Sequence, residues 1–208
     1  MPSNWLSIKR FVPLLFAPAG IGLVLQAVYP ETPAQQLLAL ALALFCPELA
    51  RMAKVDLDNV AATMQQVEDA RLSRFLFVVV STIVLELLGF YSALISLSVG
   101  ALVIVGSQLW FNLLAELQLQ PGQTPAVVSF GISRRMPVLL ANMIGLLLLS
   151  LWFVPELAPE LRLGSVAQVR RWLSGGMLML VTVFLLIKYV ILGVISGVLS
   201  VTITKHEQ

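Results

Sequence analysis

Between Phe75 and Leu117 the chain carries only two charged side chains, Glu86 and Glu116. That stretch is far too long for one membrane crossing and too oily to form the surface of a soluble fold. A helix that crosses a bilayer needs roughly 20 mostly apolar residues. The stretch is therefore expected to double back as a helical hairpin, with Gly89-Phe90-Tyr91-Ser92 as the natural turn.

Similar runs recur along the chain, at 11–28, 34–49, 75–88, 93–114, 137–154 and 173–201. Together they predict an all-α fold, a polytopic transmembrane helix bundle of about six spans in one helical domain over residues 1–208. Composition agrees: 59% of residues are hydrophobic and 12% charged, against roughly a quarter charged in soluble domains. Mean hydropathy is +0.94. Lipid is the expected solvent.

Individual segments carry local signals. The first holds Pro13 and Pro18, which remove backbone donors and predict a bend near Pro18. Lys9 and Arg10 precede it, but Tyr29-Pro30-Glu31 lacks the small residues of a cleavage site, so this segment is expected to stay in the membrane. In the second, Thr32-Pro33 fits a cap followed by a first helical residue. Pro47 and Glu48 come early for a full span, which leaves two readings: a helix bent at Pro47 that continues toward Arg51, or a re-entrant segment.

Residues 50–74 place Leu57, Val60, Met64 and Val67 at helical spacing, with Asp56 or Asp58 as a start. This predicts a cytoplasmic amphipathic helix that lies on headgroups, packs on a partner, or folds against its own bundle. Ser165 with Gln168 resembles a capping box, and Val166, Val169 and Trp172 beside Arg170 and Arg171 predict a short interfacial helix.

Basic residues near membrane segments favour the cytoplasmic side. An N-in, C-in arrangement puts Lys9, Arg10, Arg51, Lys54, Arg71, Arg74, Arg134, Arg135 and Lys205 inside and only Arg162, Arg170 and Arg171 outside. Removing the second span inverts the later helices and destroys this bias. A bacterial-type inner membrane and an organelle membrane of bacterial descent both suit the pattern.

Charge within a bilayer is costly and usually faces protein or water. Glu86 and Lys188 are the two ionisable residues expected inside spans, and they are candidates for a charged pair across the bundle. Such a pair would either fix helix register or serve an ion pathway. Ser92, Ser96 and Gly100, and the GxxxG pair Gly193 and Gly197, are candidate small-residue packing faces. Gln26, Gln108, Asn112 and Asn142 read as interhelical bridges. Glu48 and Glu116 read as solvated carboxylates near span ends, and Cys46 as a small buried residue.

Catalytic inventory is thin. One cysteine, Cys46, excludes an internal disulfide or a two-cysteine redox motif. One histidine, His206, argues against a histidine-ligated metal and leaves a nucleophilic serine without its usual base. No cofactor is expected, and a net charge of +2 without a basic face argues against nucleic acid. The expected partners are the lipid bilayer and other membrane-protein subunits. The leading expectation is a non-catalytic accessory subunit or assembly factor of a larger membrane complex. Its rival is a small solute or ion transporter, or permease component, with a site near Glu86 and Lys188.

Overall fold

A computed structural model describes residues 4–120, 126–153 and 165–191. It contains six helices long and apolar enough to cross a membrane: α1 (Asn4–Val28), α2 (Pro33–Gln66), α3 (Arg71–Ala93), α4 (Leu97–Leu114), α5 (Ile132–Ser150) and α6 (Val166–Leu186), the last widening into a π turn over Ile187–Ile191. Two short strands, β1 (Leu117–Gln120) and β2 (Ala126–Ser129), pair antiparallel with Leu117 opposite Ser129. The purely helical expectation missed this hairpin. Its alternation is legible in Leu117-Gln118-Leu119-Gln120, whose Leu117 is buried and whose Leu119 packs at the edge of the core.

Prolines bend the budget of hydrogen bonds without breaking the helices. α1 runs through Pro13 and Pro18. Just before Pro18, the carbonyls of Leu15 and Phe16 accept from the Tyr91 hydroxyl at 3.1 Å and the Cys46 thiol at 3.6 Å. These bonds tie α1 to α3 and α2 in the turn that precedes the proline. Cys46 is buried, as its size suggested.

α2 starts as expected, with the Thr32 hydroxyl accepting from the Gln35 amide at 3.2 Å and Pro33 in the first turn. It then continues through Pro47 for 34 residues, a length of about 51 Å at 1.5 Å per residue. The amphipathic stretch is therefore the second half of α2, not a separate helix, and Asp56 and Asp58 sit in mid-helix. Its apolar stripe faces the protein itself: Leu57 and Val60 are buried, and Met64 and Val67 pack against the core.

The α3–α4 reversal falls later than the glycine suggested. α3 continues to Ala93, and the chain turns at Leu94 and Ile95 before Ser96 precedes α4. Gly89 and Gly100 instead mark the crossing of the two helices. A Cβ on Gly100 would lie 2.4 Å from the Ala93 Cβ, and one on Gly89 would lie 2.6 Å from Ile104 Cγ1. Close approach, and not turning, is what these glycines provide.

α5 begins before Pro137, and α6 absorbs the expected interfacial helix as its first turns. Ser165 caps α6 by accepting from the Gln168 amide at 3.3 Å. α1, α2, α3 and α4 pack together, with Phe16 edge-on to Phe90 at 5.7 Å and Phe75 beside Phe111 at 6.3 Å. α5 rests on α4, and α6 rests on α2 with Phe45 against Phe184. The helices alternate in direction. The α1–α2 turn, the α3–α4 turn, Trp152 beyond α5 and the start of α6 surround one cavity, while the end of α4, the β-hairpin and the start of α5 surround another.

Candidate functional site

Charge that the sequence scatters is gathered by the fold at α2. Glu48, expected to be solvated, is 3% exposed. The length of α2 explains the difference: Pro47 does not end the helix, so Glu48 lies deep along it, facing α6. Its carboxylate accepts from Arg51, one turn on, through Nη2 at 2.9 Å and Nε at 3.2 Å. It also accepts from the Lys188 ammonium and the Tyr189 hydroxyl. Arg51 stands over the Tyr189 ring at 5.8 Å, and Lys188 over the Phe184 ring at 5.3 Å.

The π turn makes this convergence possible. Successive side chains of an α-helix point about 100° apart, yet Lys188 and Tyr189 reach the two oxygens of one carboxylate. Local widening of a helix in this way often accompanies a specific side-chain placement. A buried carboxylate is tolerable only when its lone pairs are filled, and here three donors fill them.

Glu86 sits elsewhere. Its carboxylate, 4% exposed, accepts from the Gln108 amide of α4 at 2.7 Å. The expected pair thus divides, with Lys188 on Glu48 and Glu86 on Gln108. From Gln108 a polar ladder descends α4. The Asn112 amide donates to the Gln108 carbonyl at 2.7 Å, and Arg135 Nη1 donates to the Asn112 and Leu113 carbonyls at 2.8 and 3.2 Å. Arg135, 4% exposed, therefore caps the C-terminus of α4, where a cation meets the negative end of the helix dipole.

At the foot of the ladder lies a cavity of about 210 Å³ lined by Asp56, Asn59, Phe75, Phe111, Asn112 and Arg135, among others. Asp56 is close enough to Glu86, Lys188 and Arg51 to feel their charge. The opposite end of the bundle holds a wider cavity of about 1480 Å³, into which Gln26, Trp152, Arg170 and Arg171 contribute. There Arg170 stacks over the Trp152 ring at 5.4 Å, and Gln26 donates to the Leu94 carbonyl at 2.8 Å.

The small-residue faces divide as well. Ser92 belongs to α3, Ser96 to the turn and Gly100 to the α3–α4 crossing, so the three do not form one stripe on one helix. Gly193 and Gly197 lie outside the described residues, as does His206. Gln108 bridges α4 to α3 as expected, whereas the Asn112 side chain bonds back to its own helix and Asn142 Nδ2 is buried without a hydrogen-bond partner. Sequence reasoning missed Glu48, Tyr189, Asp56 and Arg135. The available signal was Glu48 with Arg51 at i,i+3 inside a run that stays helical. Among the described residues, no three of His, Cys, Asp and Glu gather as metal ligands do.

Compared with protein-family models, with curated proteins and with solved structures, the chain matches none.

Proposed function

We propose that this chain is an integral membrane protein with six spans and cytoplasmic termini, acting without catalysis as an accessory subunit or assembly factor of a larger membrane complex. The observation that carries the reading is the placement of α5. It rests on α4 alone among its main contacts and is exposed over most of its apolar surface, within which Met136, Leu140, Met143 and Leu147 recur at alternating four- and three-residue spacing. That spacing is the seam along which membrane helices pack. The charge node supports the same reading, because its donors fix α6 to α2 and leave the carboxylate closed to solvent.

Orientation follows from the basic residues. Arg71, Arg74, Arg134 and Arg135 belong to the hairpin end, and Arg170 and Arg171 to the other. In a Cys46→Ser background, a cysteine placed at Ser129 should react only from the cytoplasmic side and one at Gln168 only from the opposite side.

The test of function is isolation of the full chain from its own membrane in mild detergent. A second polypeptide in fixed stoichiometry is expected, and its share should fall when Leu140 and Leu147 are both changed to Ala. A stable lone chain that carries solute in proteoliposomes would reject the reading.

One observation favours a second reading, passage of a proton or small cation through the bundle. Glu86 is bonded to a neutral amide where a purely structural carboxylate, such as Glu48, is met by cations. Intramembrane carboxylates of that kind mark ion and proton routes. Flux in proteoliposomes that Glu86→Gln abolishes is its test.

A further inference from the structure

The cavity at the foot of α4 ends at Asn112, one helical turn from Gln108, and neither Gln108 nor Glu86 is among its lining residues. Asp56 and Asn112 line the cavity together with Arg135, whose Nε is buried without a hydrogen-bond partner. The Asn112 side chain donates to the backbone carbonyl of Gln108, and the Gln108 side-chain amide donates separately to Glu86. A volume of about 210 Å³ admits several waters, each taking about 30 Å³ in the liquid. The unfilled Arg135 Nε and the Asp56 carboxylate are the kind of partners that hold buried water.

We propose that this cavity is a hydrated inlet through which Glu86 exchanges a proton with the hairpin side of the protein, water following the polar edge of Asn112 and Gln108. It deepens the second reading above by naming the proton as the species that reaches Glu86. The step is a simple transfer: a hydronium ion that has moved from the cavity along the edge of α4 gives its proton to Glu86 Oε2 and becomes water, and the reverse step returns it. Gln108 stays in place as the amide donor to Oε1. The ionisable group whose charge bears on Glu86 is Asp56 of α2. Lys188 and Arg51 act in turn on Asp56, while α1 carries no ionisable side chain between Phe11 and Val28.

Infrared spectroscopy of the full chain in lipid nanodiscs tests this. Wild-type protein should show a protonated-carboxyl band that is missing in Glu86→Gln, fades in alkaline buffer and shifts after transfer to deuterium oxide. Asn112→Leu should slow that deuterium shift about tenfold or more, the factor that one lost hydrogen bond to the transferring water represents. Asn112→Ser, which keeps a polar group in the same place, should restore most of the rate and shows that the site still folds. If no band is assigned to Glu86 at any pH, or if Asn112→Leu and Asp56→Leu both exchange at the wild-type rate, the inlet is wrong. Exchange at Glu86 without flux in proteoliposomes would instead reject transport and leave the inlet standing.

Discussion

Glu48 and Lys188 lie 140 positions apart and meet as an ion pair that ties α6 to α2. α6 has α2 as its principal helical neighbour, so this contact carries much of its placement. Two adjacent residues of the π turn, Lys188 and Tyr189, bind the same carboxylate that Arg51 holds from within α2.

Removing one side of the node should cost more than removing both. Glu48→Leu removes the carboxylate shared by Arg51 and Lys188, whose side chains keep 45% and 27% of their exposure, and is expected to destabilise by about 1.5–3 kcal/mol. Adding Lys188→Met should recover part of that loss, with a coupling of about 1–3 kcal/mol. Thermal unfolding of the single and double variants in detergent measures it; strict additivity would deny the pair.

The α3–α4 crossing makes opposite predictions for two glycines of one helix. Gly100→Ala drives a methyl group into Ala93 backbone and should cost about 1–3 kcal/mol or more through overpacking. A Cβ on Gly106 meets nothing within 4 Å, and Gly106→Ala should stabilise by about 0.5–1 kcal/mol through helix propensity. Denaturation of both variants under the same conditions decides the matter.

Arg135 is expected to behave as a helix cap. Arg135→Met leaves the Asn112 and Leu113 carbonyls without their charged donor, and a loss of about 1.5–3 kcal/mol is expected for such bonds. Hydrogen exchange should rise first in the last turn of α4. Uniform loosening of the whole bundle would point to a different role.

The turn between α2 and α3 gives a pH signature. Half-buried Asp69 accepts from the Arg71 side chain and backbone, which hold its carboxyl below the usual aspartate range. A depressed folded value contributes stability above the unfolded value of about 3.9 and loses it as pH falls through the folded value. Asp69→Asn should therefore lower stability slightly at neutral pH, and the difference should vanish in acid below both values. The same Arg71 reaches Ser129 Oγ at 3.1 Å, so proteolysis of the β-hairpin offers a second readout.

Sequence alone determined the count of helices long and apolar enough to cross a membrane, because hydropathy over a helix length depends on no contact. It also placed the caps at Thr32 and Ser165, whose hydrogen bonds reach only three residues along the chain. Tertiary structure decided which polar groups meet. Lys188 finds Glu48 and not Glu86 because the rotation and length of α2 and α6 set which faces touch, and a span-by-span reading ended the second span at residue 49, well short of Gln66. Tyr91 and Cys46 tie α1 to α3 and α2 ahead of Pro18, and packing across Gly89 and Gly100 outweighs the turn preference of glycine. Those outcomes depend on surfaces far apart in the chain, which local periodicity does not encode.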